Sequence, residues 1–450
     1  MKVWNEPVKQ PVMKRGFMRE EGILQEKKER ALLVGVDTGE EQDFDRCMAE
    51  LGSLAEACNM EVVGLITQKM DAVNKAYYIG TGKVSEVKEF AGECEADVVI
   101  FDNALSPSQI RNLQDAIDMP ILDRTTLILD IFAIRAQTRE AKLQVETARL
   151  QYLLPRLVGM HEALSRQGGA SGSMSNKGTG EKKLELDRRK IEHRISELKK
   201  ELEAVEQDRH TQRKKRRNSR IPQVALVGYT NAGKSTVLNQ MVEKFVGNGE
   251  KKVLQKDMLF ATLETSVRSI ETGDNKPFFL VDTVGFIHKL PHGLVKAFHS
   301  TLEEVQYADL LVQVVDFSDE QYRQQMDVTK ETLNELGAGD IPMIYVYNKA
   351  DKCNMASLPK VTEHQVYMSA VNGVGISELA ELIKSKVYAD NVNATFMIPY
   401  HKGAVASYFM ENATVLEQSY EAEGICLTVN CHLQDAEKYR EYMIQQSRTI

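Results

Sequence analysis

Four apolar residues in a row, Val224-Ala225-Leu226-Val227, run straight into Gly228-Tyr229-Thr230-Asn231-Ala232-Gly233-Lys234-Ser235-Thr236, and the residues after Thr236 can continue as a helix. No other stretch limits the fold so tightly. A short unbroken apolar run reads as a strand buried on both faces. The loop keeps the spacing G-x4-GK[ST], whose glycines let backbone N–H groups curl around a phosphate chain at a helix N-terminus. In that setting Lys234 reaches the β and γ phosphates, and the Ser235 hydroxyl can ligate Mg²⁺. A chain with this strand, loop and helix is expected to contain an α/β domain that holds a nucleoside triphosphate, with residues 228–236 as its phosphate-binding loop.

The base is indicated further along. Met343-Ile344-Tyr345-Val346-Tyr347 is another buried-strand run, and it ends in Asn348-Lys349-Ala350-Asp351, which resembles the NKxD motif of GTP-binding proteins. The Asp351 carboxylate can accept hydrogen bonds from guanine N1–H and the exocyclic amine, whereas adenine presents no such donor pair. Asn348 and Lys349 would brace the base and its loop. The run Gln365–Met368 ends in Ser369-Ala370, matching a short motif whose backbone contacts guanine O6.

Between these segments, Phe278-Phe279-Leu280-Val281 leads into Asp282-Thr283-Val284-Gly285, a DxxG sequence. Asp282 would hold Mg²⁺ through water and the Gly285 N–H would meet the γ-phosphate, so hydrolysis would release this segment. Upstream, Thr262 is the candidate second Mg²⁺ ligand, a choice over Thr265 that rests on family resemblance. The expected catalytic set is therefore Lys234, Thr262 and Gly285, and the metal ligands are Ser235, Thr262 and Asp282. Phe286 follows the DxxG where many small GTPases carry a glutamine that orients water. Intrinsic turnover should be slow, with a partner or a cation supplying the missing help. Asn231 stands where potassium-stimulated GTPases carry an asparagine, which makes K⁺ a candidate activator.

At 450 residues the chain is too long for one hydrophobic core, and a prior of roughly 150 residues per domain suggests about three domains. Its 42% hydrophobic and 27% charged content is that of an ordinary globular protein. No apolar run approaches the roughly 18 residues of a membrane-spanning helix, and the opening Met1-Lys2-Val3-Trp4-Asn5-Glu6 lacks a signal-peptide core. A cytosolic monomer is expected, with a peripheral membrane fraction. The six cysteines form no CxxC pair and read as reduced thiols. Cys426, Cys431 and His432 lie close in sequence but lack a fourth partner at ligand spacing. A net charge of −8 argues against wholesale nonspecific nucleic-acid binding. Yet RHTQRKKRRNSR (209–220) holds seven Lys or Arg and no acid, and reads equally as a solvated linker or as an arm for nucleic-acid phosphates.

The chain divides into five regions. Residues 1–24 are a polar tail. In 25–138, the apolar runs Ala31–Val36, Glu61–Ile66, Asp97–Phe101 and Pro120–Leu122 alternate with helix-compatible stretches, predicting a parallel-sheet α/β subdomain. Ser106 and Pro107 mark a helix start there, and Gly80-Thr81-Gly82 reads as a turn before a helix. In 139–217, Leu184, Ile191, Leu198 and Val205 recur every seven residues with Ile195 and Leu202 between them, and Leu143, Leu150 and Leu157 recur likewise. A helical hairpin is predicted, with a Gly/Ser-rich loop at 168–180 and a basic linker at its end. Residues 218–390 hold the nucleotide motifs. Residues 391–450 predict strand, helix, strand, strand and helix in a small α+β domain, where His401 and His432 read as surface histidines.

The resemblance extends beyond the nucleotide motifs. YYIGTGKVSEV (77–87), RTTLILDIFAIRAQTREAKLQVE (124–146), LQYLLPRL (150–157) and GTGEKKLELDRR (178–189) resemble the HflX family of ribosome-associated GTPases. That resemblance implies an α/β subdomain and a helical hairpin before the GTP-binding domain. It also implies binding to the large ribosomal subunit and its rRNA, and a role in splitting or rescuing stalled ribosomes under stress or in subunit quality control. A hairpin with a loop at its tip suits an RNA cavity, and a basic stretch suits rRNA phosphates. The sequence departs from the family where ATLETSVR (261–268) stands for a form closer to ATLDPTTR, and where GEKKLELDRR (180–189) stands for GETKLETDRR. A GTPase of RNA maturation, modification or ribosome assembly without subunit splitting, and a nucleotide-dependent scaffold, stay open as alternatives.

Overall fold

The computed structural model describes residues 28–39, 43–167, 177–218, 221–247, 259–260, 263, 265–289, 304–353, 355 and 357–448. The chain divides into two compact units: residues 1–207 with 258–260 and 289–298, and residues 208–257, 261–288 and 299–450.

In the first unit, β1 (Glu29–Asp37), β2 (Met60–Lys69), β3 (Val98–Phe101) and β4 (Ile121–Asp123) form a parallel sheet in the order β2-β1-β3-β4. The helices α1 (Phe44–Ala57), α2 (Thr81–Glu93) and α3 (Pro107–Ile117) alternate with these strands, as the βα pattern predicts. Their starts are chemically marked. Asp43 caps α1 by accepting from the Arg46 N–H, and Ser106 with Gln109 forms a reciprocal capping box ahead of Pro107. Leu32, Val34, Val99, Phe101, Val87 and Leu113 are buried together between sheet and helices, each worth about 1.5–3 kcal/mol against leaving it in water.

Helix α4 (Arg124–Arg135) continues from β4 without a loop because Asp123 caps it, accepting from the Thr126 N–H. Behind that cap lies a buried charge cluster. Asp102 accepts from Arg124 Nη1 at 2.7 Å and from Lys289 Nζ at 2.6 Å, and Arg124 also pairs with Glu50. Phe260 joins the same unit by packing on α4, where it meets Phe132 edge to face at 4.8 Å.

Helices α5 (Arg139–Gln167) and α6 (Lys177–Asn218) come next. Ile191, Ile195 and Leu198 are buried along the predicted seam, as is Leu143, while the side chains of Leu157 and Leu184 lie outside the described residues. Two boundaries differ from the sequence reading. The Gly/Ser-rich loop is expected to reach residue 180, but α6 already begins at Lys177; its Gly178 and Gly180 each cost about 1 kcal/mol relative to alanine, which propagation from the Leu/Lys/Glu-rich body of the helix offsets. Residues 168–176 lie outside the described residues. The basic stretch, read as a linker, continues the same helix to Asn218, since Arg, Lys and Gln are good helix formers.

In the second unit a seven-stranded sheet runs in the order β10-β11-β9-β8-β5-β7-β6. Its strands are β5 (Gln223–Val227), β6 (Ser266–Ile270), β7 (Phe278–Asp282), β8 (Leu310–Asp316), β9 (Met343–Asn348), β10 (Lys360–Val361) and β11 (Gln365–Tyr367). The five inner strands are parallel, and the edge strands β6 and β10 run antiparallel to their neighbours. Helices α7 (Lys234–Phe245), α8 (Tyr322–Glu335) and α9 (Ile376–Val387) flank it. Val224, Leu226, Val312 and Val346 are buried in its core against Leu238, Leu379 and Ile383.

A four-stranded antiparallel sheet, β13-β14-β12-β15, completes this unit with β12 (Asn391–Ile398), β13 (Thr414–Tyr420), β14 (Ile425–His432) and β15 (Met443–Arg448). Helices α10 (Gly403–Asn412) and α11 (Leu433–Lys438) accompany it. The last strand is absent from the sequence reading, because Met443-Ile444-Gln445-Gln446-Ser447-Arg448 lacks the β-branched alternation that marks a strand; pairing with β12 makes it one. The β6–β7 turn meets this part of the unit, with Asn275 Nδ2 donating to the Met410 and Ala413 carbonyls at 2.9 and 3.1 Å and the Thr414 hydroxyl of β13 donating to the Asp274 carbonyl, while Lys384 of α9 pairs with the Asp274 carboxylate at 2.7 Å. His401 and His432 are exposed. Among the described residues no helix is long and apolar enough to cross a membrane.

A candidate nucleotide-binding site

The parallel strands β5, β7, β9 and β11 deliver the loops at their C-terminal ends to one edge of the sheet, the edge where open α/β folds bind ligands. Gly233 closes the loop after β5 with φ 97°, a left-handed conformation, and a Cβ there would stand 2.3 Å from Asn348 Nδ2. Only glycine fits. Lys234 and Ser235 then open α7, with Thr236 in its first turn.

Asn348 ends β9 and is buried. Its Nδ2 donates to the Ala232 carbonyl at 2.9 Å, and its Oδ1 accepts from the Ala370 N–H at 2.9 Å. One amide side chain therefore ties the loop after β5 to the loops after β9 and β11. Ser369, also buried, exchanges backbone hydrogen bonds with Val374. Asp351 is exposed, in the single turn Ala350–Lys352.

Lys349 carries a left-handed φ of 59°, and its Nζ donates to Asp316 Oδ2 at 2.7 Å. Asp316 is a residue that motif reading missed. It ends β8 directly opposite Asn348, and its Oδ1 accepts from the Ser318 N–H and hydroxyl at 3.1 and 2.6 Å. The available signal is the Asp-x-Ser spacing after an apolar run, an Asx-type turn.

The Lys234 ammonium is buried and donates to the Gly228 and Tyr229 carbonyls at 3.1 and 2.8 Å. Ser235 Oγ donates to Asp282 Oδ2 at 2.6 Å at the end of β7. A hydroxyl beside a buried carboxylate is an all-oxygen donor set that fits a hard cation such as Mg²⁺. Thr262, the other expected ligand, lies outside the described residues. The chain after Asp282 runs along the phosphate-binding loop: Thr230 N–H donates to the Phe286 carbonyl at 2.8 Å, Phe286 N–H to the Gly228 carbonyl at 3.1 Å, and His288 N–H to the Tyr229 hydroxyl at 2.8 Å. Gly285 lies within this stretch, and a Cβ on it would stand 2.9 Å from Lys234 Nζ. The Tyr229 hydroxyl is a second contact that the motifs do not reveal. Phe286 is 1% exposed, so its ring is packed away. Asn231 is exposed with φ 60°.

Burial pushes the Lys234 ammonium down to about 8, and the Asp282 carboxylate offsets part of that shift. Phosphate needs the charged form. Below that value the empty site already holds the proton; above it, binding must take one up. GDP affinity is thus expected to be flat from about pH 7 to about pH 8, above the second ionisation of the phosphate near about 6, and to fall by up to about tenfold per pH unit above about pH 8. Calorimetry in two buffers of different ionisation heat would register the proton uptake, and an affinity unchanged across the range would contradict this assignment.

Three family models match consecutive parts of the chain. They are described as the N-terminal part of a GTP-binding GTPase (residues 45–133), the middle region of a GTP-binding GTPase (135–216) and a 50S ribosome-binding GTPase (223–349). A GTPase HflX of Caldanaerobacter subterraneus subsp. tengcongensis is 42% identical over 417 residues, covering 93% of this chain and 94% of the relative. The GTPase HflX of Escherichia coli K12 is 37% identical over 402 residues, covering 89% and 92%. Among solved structures, a GTP-binding protein from Sulfolobus solfataricus in complex with GDP is 24% identical, with a TM-score of 0.42, covering 80% of this chain and 98% of that one.

Proposed function

This chain belongs to the HflX family of GTPases and hydrolyses GTP, and from that premise we propose that it binds the large ribosomal subunit and its rRNA, using GTP as a switch to split or rescue stalled ribosomes. The observation that carries the switch is Phe286. Its ring is buried and it follows the DxxG where a glutamine would orient water, so the resting site would turn over slowly and a partner would supply the missing group.

In the proposed site, Lys234 and the N–H groups of residues 231–235 would hold the phosphates, and Ser235, Asp282 and Thr262 would hold Mg²⁺, Asp282 through water. Mg²⁺ would neutralise charge on the phosphates. Asp351 reads the guanine edge, Lys349 braces the base from its Asp316 anchor, and the Ser369-Ala370 backbone meets O6. Asn348 keeps these loops in register. Gly285 would meet the γ-phosphate, so hydrolysis would remove a contact that orders this segment.

Hydrolysis measured with and without purified large subunits tests the reading. A GTPase of RNA maturation or ribosome assembly would use the same site without separating subunits. Asn231 supports a further arm, activation by K⁺: hydrolysis is expected to run several-fold faster in KCl than in NaCl at equal ionic strength, and equal rates would sink it.

A further inference from the structure

We propose that the Thr230 hydroxyl is a catalytic group that donates a hydrogen bond to the terminal phosphate of GTP. This rests on residues 228–236 being the phosphate-binding loop. Thr230 is 6% exposed, and among the described residues its Oγ1 is buried with no hydrogen-bond partner. Its backbone N–H is already committed to the Phe286 carbonyl. A Cβ on Gly285 would stand 2.8 Å from Thr230 Cα, 2.9 Å from its methyl carbon Cγ2 and 2.9 Å from Lys234 Nζ, so Thr230 and Lys234 both border the glycine whose N–H is assigned to the γ-phosphate.

A buried hydroxyl left without a partner is destabilising, and valine would fill the same shape without that cost. A donor kept at a phosphate site under such a penalty has its partner in the ligand. The position also fits the chemistry. Phe286 offers no polar atom from its side chain, whereas Thr230 carries its hydroxyl on the loop assigned to the phosphates. In the reaction the water oxygen bonds to the γ-phosphorus, the bond from phosphorus to the β–γ bridging oxygen breaks, and its electron pair leaves on GDP. The water proton passes to phosphate or solvent. Thr230 keeps its own proton throughout and stabilises charge on the phosphoryl oxygens.

The experiment compares Thr230→Val and Thr230→Ser in the full chain, reading single-turnover GTP hydrolysis, GDP affinity and the melting temperature of the nucleotide-free protein. Thr230→Val is expected to slow hydrolysis by about 10- to 100-fold, because one donor to developing charge is lost. GDP affinity should stay within about twofold, since GDP lacks the phosphate concerned, and the melting temperature should rise by about 1–3 °C as the orphaned hydroxyl disappears. Thr230→Ser keeps the hydroxyl and should restore most of the rate. Wild-type hydrolysis by Thr230→Val would overturn the proposal, as would a lowered melting temperature with lost GDP binding, which would make the side chain a packing element. Lys234→Ala is the separate control: if it still binds GDP normally, the loop assignment itself falls.

Discussion

Replacing Asp351 by asparagine is expected to weaken GDP and GTP binding by about 100- to 10,000-fold while leaving the fold intact. The size comes from the chemistry of the guanine edge. A carboxylate accepting two N–H groups makes charge-assisted bonds worth about 1.5–3 kcal/mol each. Asparagine keeps one acceptor and turns its other position into a donor facing a donor. Stability should hardly change, because Asp351 is exposed. The staple at Asn348, the Lys349–Asp316 pair and the buried Ala350 do not depend on it. Xanthine carries a carbonyl where guanine carries its amine, so the asparagine N–H gains a partner there. The variant should therefore recover affinity with xanthosine diphosphate. Titration with the two diphosphates checks both halves, and an unchanged GDP affinity would remove Asp351 from the base site.

How much of this fold and site is legible in residue order depends on how local each feature is. The four strands of the first sheet, and β5, β7, β9 and β11 of the second, are legible because buried parallel strands are largely continuous apolar runs, and the phosphate loop because glycine, lysine and serine must sit at fixed spacing beside one of them. Ser106 and Pro107 mark their helix for the same reason: caps are local chemistry. Features made by pairing across the fold are not legible. Asp316 reaches Lys349 because β8 and β9 align Asp316 with Asn348, a register no motif records. The Tyr229 hydroxyl finds the His288 amide across 59 residues. β15 is a strand by virtue of its neighbour β12 rather than its own composition, and α6 runs through two glycines because a helix, once started, propagates.

The second large effect expected on the proposed reading is acceleration by the ribosome. The described residues place Lys234, Ser235, Asp282 and Asn348 in a hydrogen-bonded cradle, yet Phe286 is buried and its backbone is bonded to Gly228 and Thr230. On the proposed reading such a site turns nucleotide over slowly until a partner completes it. Where a partner completes a phosphoryl-transfer site of this kind, rates rise by about 10³- to 10⁵-fold. A large RNA surface that reorders the segment after Gly285 can contribute a substantial part of that. The measurement that tests the central claim most directly is single-turnover GTP hydrolysis with and without purified large ribosomal subunits, with Asp351→Asn as the base-specificity control. Acceleration of about 100-fold or more, lost in the control, is the result predicted for a ribosome-gated switch. An unchanged rate, with the protein bound to both GTP and the subunit, would contradict it.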